Sequence, residues 1–222
     1  MTDPAPAELE LKRDHFGAVF LVHDAAGRPQ HVCRDTRLAR AWAKPLARWL
    51  ARKEARALAR LAGLDAVPRL IACRAGVLTR SWIDGAPMQR AKPADPAYYR
   101  AALHLLRRLH ARRVVHNDLA KEPNWIVTPE GSAALVDFQL AARPRHRGWL
   151  FRALAYDDLR HLLKHKRSYF PRHLTTRQRA ILDRRSAIAA FWAGTGKPVY
   201  RFVTRRLLGW TDREGAGDRQ VP

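Results

Sequence analysis

The chain has 222 residues, enough for one domain with a substantial core, and 47% of them are hydrophobic, which excludes a wholly disordered chain. Lys and Arg number 42 against 20 Asp and Glu, a formal charge of +22, so polyanions are the partners to expect: nucleic acid, an anionic lipid surface or a phosphorylated glycan. No apolar run approaches the ~20 residues of a membrane span, the first residues lack the basic start and apolar core of a signal peptide, and Cys33 and Cys73 have neither metal-ligand nor disulfide-framework spacing, so the expected setting is cytoplasmic, with any membrane contact peripheral on the inner face.

After a Pro/Ala lead, residues 9–12 and 18–23 read as strands, and a turn holding Gly27 and Pro29 leads to a third at 30–34. The link between the first two carries a single glycine, Gly17. Arg34 ends the third strand. A helix follows over 46–62, closed by Gly63 in a C-cap position. Leu46, Trp49, Leu50, Ala57, Leu58 and Leu61 form its apolar stripe, while Arg48, Arg52, Arg56 and Arg60 recur every four residues on another face. Glu54 stands four residues from both Leu50 and Leu58, inside the stripe. A carboxylate facing inward needs a cation, because an unpaired buried charge costs several kcal/mol. Arg34 is the candidate; pairing with Lys53 or neighbouring arginines in solvent is the alternative.

Residues 67–72 and 76–82 complete a five-stranded sheet, and Trp82-Ile-Asp-Gly85 leads into a Pro-rich connector at 86–96. A helix over 97–113, with Tyr98, Ala102, Leu105, Leu106 and Leu109 on one side, runs into Val114-Val-His116-Asn-Asp118-Leu119. Apolar runs at 125–127 and 133–136, split by Pro129-Glu-Gly131, read as a hairpin with Asn124 at its entrance and Asp137 at its exit, so both side chains fall on one rim. Asp118, Asn124 and Asp137 are the oxygen groups phosphoryl transfer requires: a carboxylate at the acceptor hydroxyl and ligands for Mg²⁺.

A helix at 153–167 places Asp158 on a stripe with Leu154 and Leu162, and another is expected at 176–193. Gly194-Thr-Gly196-Lys197 is not a phosphate-binding loop, since no glycine stands at Ala190 or Phe191 and Pro198 follows the lysine. Residues 200–210 mix Phe202, Leu207, Leu208 and Trp210 with arginines, as interfacial helices do, and are the expected anchor on an anionic membrane. Residues 211–222 read as a disordered tail.

The order His116-x-Asp118, Asn124, hairpin, Asp137-Phe138 resembles the catalytic loop and metal-binding segment of the protein-kinase-like superfamily. The short stretch after Asp137, with no Ala-Pro-Glu segment, makes the chain similar to RIO-type kinases and to the bacterial lipopolysaccharide-core and Kdo sugar kinases, over approximately residues 9–167. The resemblance implies an α+β, two-lobed fold: a small antiparallel-sheet N-lobe over 1–85 and a reduced, mainly helical C-lobe over 86–210. It implies ATP and Mg²⁺ as cofactors and phosphoryl transfer to a hydroxyl of a protein or of a lipopolysaccharide sugar. In that match Asp118 and His116 are catalytic-loop residues, Asn124 and Asp137 hold the metal, and Asp158 supports the loop. Arg34 stands for the lysine that holds the phosphates, Glu54 for its partner, Gly17 for what remains of a glycine-rich phosphate cover, and Trp82 for the hinge that meets adenine.

The departures are specific. The pattern H-R-D-L-x-x-x-N puts its asparagine one residue nearer the aspartate than here, so either Asn124 reaches the metal through a bulged loop or Glu122 takes part. Asn117 replaces the arginine that reads activation-loop phosphorylation, and Gln139 replaces the glycine of D-F-G. With Arg34 for lysine and one glycine in the cover, nucleotide grip is expected to be weaker or differently built. These changes support the alternative of a catalytically weak pseudokinase acting as a basic module at an anionic membrane or on RNA. No nucleic-acid-binding motif accompanies the charge.

Overall fold

A computed structural model describes residues 8–184. The segments expected at 200–210 and 211–222, and the later part of the helix expected at 176–193, lie outside the described residues. Three strands open the fold, β1 (Glu8–Asp14), β2 (Gly17–His23) and β3 (Pro29–Asp35), followed by helix α1 (Lys44–Arg60) and strands β4 (Leu70–Arg74) and β5 (Val77–Ser81). All pair antiparallel, in the order β1-β2-β3-β5-β4. The β1–β2 turn is tight: Asp14 stands opposite Gly17, and the Phe16 amide donates to Asp14 Oδ1 at 2.7 Å. Gly17 has φ 124°, and a Cβ there would lie 2.2 Å from the Asp35 carbonyl oxygen. The glycine is therefore required where β2 meets the end of β3, and so short a turn cannot wrap phosphates. The structure gives Gly17 a packing role in the sheet.

Helix α1 has Pro45 in its first turn and buries Ala47, Ala51, Glu54, Ala55, Ala57 and Leu58. Ala51 and Ala55 pack with Leu78 of β5, and their small side chains let the helix lie close on the sheet. The apolar stripe read from the sequence fails at its first half, because Leu46 and Trp49 are 47% and 53% exposed. Alanines, which weigh little in a hydrophobic pattern, set the buried face instead.

The second half comprises β6 (Ala86–Pro87), α2 (Met88–Ala91), α3 (Pro96–Ala111), β7 (Trp125–Val127), β8 (Ala133–Leu135), α4 (Trp149–Tyr169) and α5 (Thr176–Asp183). The expected connector at 86–96 is structured: β6 pairs with β7, and Met88 is fully buried. Asp95 caps α3 by accepting from the Ala97 amide at 2.7 Å. One apolar core crosses the lobe boundary, joining Leu58 and Leu61 of α1 to Tyr98, Leu106 and Leu109 of α3 and to Trp125, Leu135, Phe138 and Leu162. Burying each large side chain stabilises by about 1.5–3 kcal/mol. The sheet is thus fastened to the helices by α1. No helix among the described residues is long and apolar enough to cross a membrane.

The chain passes between the lobes at Gly85, where φ is 131° and a Cβ would lie 2.3 Å from the Val127 carbonyl oxygen and 2.7 Å from Ile126 Cγ2. Gly85→Ala is expected to destabilise by more than about 2 kcal/mol, whereas Gly131→Ala should cost nearer ~1 kcal/mol from its backbone alone. At Gly131 the added methyl would meet nothing within 4 Å. Urea unfolding of the two variants checks the difference.

Candidate active site

Helix α4 holds the loop that carries Asp118. The Asp158 carboxylate, 1% exposed, accepts from the His116 amide at 2.9 Å and the Asn117 amide at 3.0 Å, and lies 3.1 Å from His110 Nε2. Seven residues on, His165 Nε2 donates to the Leu119 carbonyl at 2.8 Å, and four further on, the Tyr169 hydroxyl donates to Glu122 Oε2 at 2.7 Å. These residues share one face of α4, so the helix grips the loop at successive points. Asn117 has φ 62°, a left-handed conformation that asparagine tolerates and that leaves its amide facing Asp158.

Glu122 is turned toward α4, where His165 Nδ1 also lies 3.8 Å away. Burial and the Glu122 carboxylate push the Tyr169 phenol up to about 12. Asn124 instead faces Asp118: its amide donates to the Asp118 carbonyl at 2.8 Å and to Asp118 Oδ2 at 3.1 Å. A 3₁₀ turn, Glu122–Asn124, absorbs the extra residue. The insertion also brings Lys121 Nζ to 3.2 Å from Asp118 Oδ2.

The β7–β8 hairpin aligns the other oxygen group. Trp125 pairs with Leu135 and the Val136 amide donates to the Asn124 carbonyl at 3.1 Å, so Asp137 follows directly on the residue opposite Asn124. Asp137 takes φ 64° and ψ 70°, and the next residue, Phe138, is fully buried with its ring 4.6 Å from that of His116. His116 Nε2 donates to the Val136 carbonyl at 2.9 Å, tying the loop to the hairpin exit. His116 is fully buried, so it positions the loop and cannot touch a substrate. The resemblance grouped it with Asp118 as catalytic; its burial supports a positioning part.

Arg34 stands over this rim. Its guanidinium donates through Nη1 to Gln139 Oε1 at 3.1 Å, lies 3.8 Å through Nη2 from Asp137 Oδ1, and 3.8 Å through Nε from Glu54 Oε2. A planar fork spreads its N–H groups over three nitrogens and so reaches partners on several sides, where an ammonium presents its donors from a single point. Two of the departures from the kinase pattern, Arg34 and Gln139, thus meet each other. Glu54 is fully buried and has a second cation nearer still, Arg80 Nε at 3.4 Å from Oε1. Sequence reading missed Arg80, although it follows Leu78 by two residues in a strand and so shares its inward face. Trp82 donates its backbone amide to the Gln30 carbonyl at 3.0 Å, so that amide is not available to a nucleotide.

Asp137 Oδ1 is enclosed and has no hydrogen-bond donor, an anionic oxygen suited to a cation. Burial opposes its charge, but Arg34, Arg80 and the Gln139 hydrogen bond outweigh it and hold the carboxyl below the ordinary range. No cluster of three or more His, Cys, Asp or Glu able to hold a metal exists among the described residues. Mg²⁺ does not need one, since it takes one or two protein oxygens and completes its shell with phosphates and water. Asn124 and Asp137 fit that demand.

The family model of the RIO domain matches residues 27–178, well over half of the chain, a span that includes Arg34, Glu54, Asp118, Asn124, Asp137 and Asp158 but not β1 or Gly17. No curated protein matches the chain.

Removing Glu54 leaves two guanidiniums facing each other without their carboxylate. Glu54→Ala is expected to destabilise by about 3–5 kcal/mol. Double-mutant cycles by urea unfolding should couple Glu54 more strongly to Arg80 than to Arg34; coupling below ~0.5 kcal/mol in both would show that neither pair contributes. Because the folded-state pKa of Asp137 is depressed, its stabilisation is fully present above the unfolded value of about 3.9 and lost as pH falls through the lower folded value. Asp137→Asn should flatten the acid limb of stability against pH.

Proposed function

The chain belongs to the RIO domain family of atypical protein kinases, and on that premise we propose that it transfers the γ-phosphoryl group of ATP to a hydroxyl of a protein or of a lipopolysaccharide sugar. The observation that carries this reading is the Asn124 amide seated on Asp118 at 3.1 Å while the hairpin register brings Asp137 to the same rim. Asp118 orients the acceptor hydroxyl and takes its proton as the oxygen attacks phosphorus. Asn124 fixes the Asp118 carboxylate through its amide nitrogen and keeps its own oxygen for a cation. Mg²⁺, held by Asn124 and Asp137, would supply charge neutralisation on the phosphates. Lys121 adds a cation beside Asp118, and Arg34 one beside Asp137.

The stretch between Leu140 and the start of α4 at Trp149 is too short for a long peptide-docking segment, which supports a compact acceptor site open to a protein loop or a sugar. The reaction belongs in the cytoplasm, where ATP is supplied. One observation favours the second reading, a pseudokinase: the Arg34 guanidinium already faces the enclosed oxygen of Asp137 at 3.8 Å, where a metal would bind.

Incubation of the full chain with [γ-³²P]ATP, Mg²⁺ and lysate separated into protein, lipid-linked glycan and RNA decides between them. Label is expected in the protein or glycan pool, and Asp118→Asn should lower it by at least ~10²-fold, the usual loss of a general base. Absence of label with the wild-type chain, or equal label with Asp118→Asn, would overturn the assignment.

A further inference from the structure

Helix α1 carries large apolar side chains on its solvent side. Trp42, Leu46 and Trp49 are 55%, 47% and 53% exposed. Helical hydrogen bonding begins ahead of the helix proper, with the Lys44 amide bonded to the Arg40 carbonyl at 3.0 Å and the Ala47 amide to the Ala43 carbonyl at 2.9 Å, so Trp42 stays in register with Leu46. Positions 42, 46, 49, 53, 56 and 60 recur with the helical period and make one stripe, apolar in its first half and Lys53, Arg56, Arg60 in its second.

The basic half is crowded. Arg143, after the turn that follows Asp137, has its pKa lowered by burial and by repulsion from Arg56 and Arg60; that of Lys53 is lowered by burial and by Arg143. None of these four makes an ion pair with a carboxylate among the described residues. Lys53 Nζ donates to the Leu140 carbonyl at 3.2 Å and Arg60 Nε to the Arg112 carbonyl at 2.6 Å, so their side chains are held in place by neutral groups. Gathering like charges without a counter-ion is unfavourable unless an anion from outside neutralises them.

We propose that this face of α1 docks on an anionic phospholipid surface, with Trp42, Leu46 and Trp49 entering the headgroup region and Lys53, Arg56, Arg60 and Arg143 taking the lipid phosphates. An indole is suited to the interface because its body is apolar and its N–H polar. Nucleic acid would use the arginines but has no use for an exposed leucine between two tryptophans. A bilayer accepts protruding apolar groups without a complementary pocket. The surface differs from the segment at 200–210, and the inference stands independently of phosphoryl transfer.

Co-sedimentation of the full chain with vesicles of phosphatidylcholine alone, or of phosphatidylcholine and phosphatidylglycerol in equal amounts, tests it. Binding is expected only with phosphatidylglycerol, and high salt should release it. Trp42→Ala/Trp49→Ala and, separately, Arg56→Gln/Arg60→Gln should each weaken binding by at least ~10-fold, since a basic side chain at an acidic leaflet contributes on the order of fivefold. None of the altered side chains belongs to the apolar core, so unchanged circular dichroism is expected of both variants. The proposal is overturned if both pairs bind like wild type, if Phe202→Ala/Trp210→Ala alone abolishes binding, if the two vesicle types bind alike, or if no vesicle binds while a labelled RNA oligomer does.

Discussion

The buried carboxylate of Asp158 is the constraint on which the candidate active site depends. It satisfies two backbone amides of the loop and faces His110 with almost no contact with water. Hydrogen bonds to a charged group contribute about 1.5–3 kcal/mol each, and losing the acceptor would leave buried N–H groups unpaired. This is strong enough to hold Asn117 in a left-handed conformation and to send Asp118 toward the cleft. His165 and Tyr169 then fix the rest of the loop from the same helix, so the inserted residue adds a contact with Glu122 in place of slack.

Around Asp137, charge balance replaces backbone bonding. Glu54 lies between Arg34 and Arg80, and Arg34 extends to Gln139 and Asp137. The Glu54 pairings are longer than hydrogen bonds, and both Glu54 oxygens lack donors, so this network is held by Coulomb attraction in a poorly solvated place. On the proposed function, Arg34 is the residue that an incoming metal and nucleotide would have to rearrange, because its guanidinium already faces Asp137. The geometry of the loop and the charge of the rim are thus separate problems, solved by α4 and by α1 with the sheet.

What could be read from the sequence followed from residues whose types have few substitutes. The order of Asp118, Asn124, the hairpin and Asp137-Phe138 pointed to the candidate site through its resemblance to the kinase-like pattern, and the structure sets Asn124 against Asp118 at the mouth of that hairpin. The inward charge of Glu54 was legible from its place between Leu50 and Leu58. The outward turn of Leu46 and Trp49 was not, since a hydrophobic pattern ranks alanine below them while helix-on-sheet packing prefers it. The directions of Glu122 and His116 were hidden too, because each depends on a partner far along the chain, Tyr169 at 47 residues and Val136 at 20. The ordered turn at Met88 was masked by prolines that ordinarily signal a connector.

The account is tested most directly by the thermal midpoint of the full chain with ATP, with and without Mg²⁺, for wild type, Asp118→Asn and Asp137→Ala. Ligand at a hundredfold excess over Kd stabilises by about 2.7 kcal/mol. The predicted result is a rise in wild type and Asp118→Asn that requires both ATP and Mg²⁺ and is absent in Asp137→Ala. A rise with ATP that ignores Mg²⁺, or one that survives loss of the Asp137 carboxylate, would contradict the placing of the metal and nucleotide at this rim.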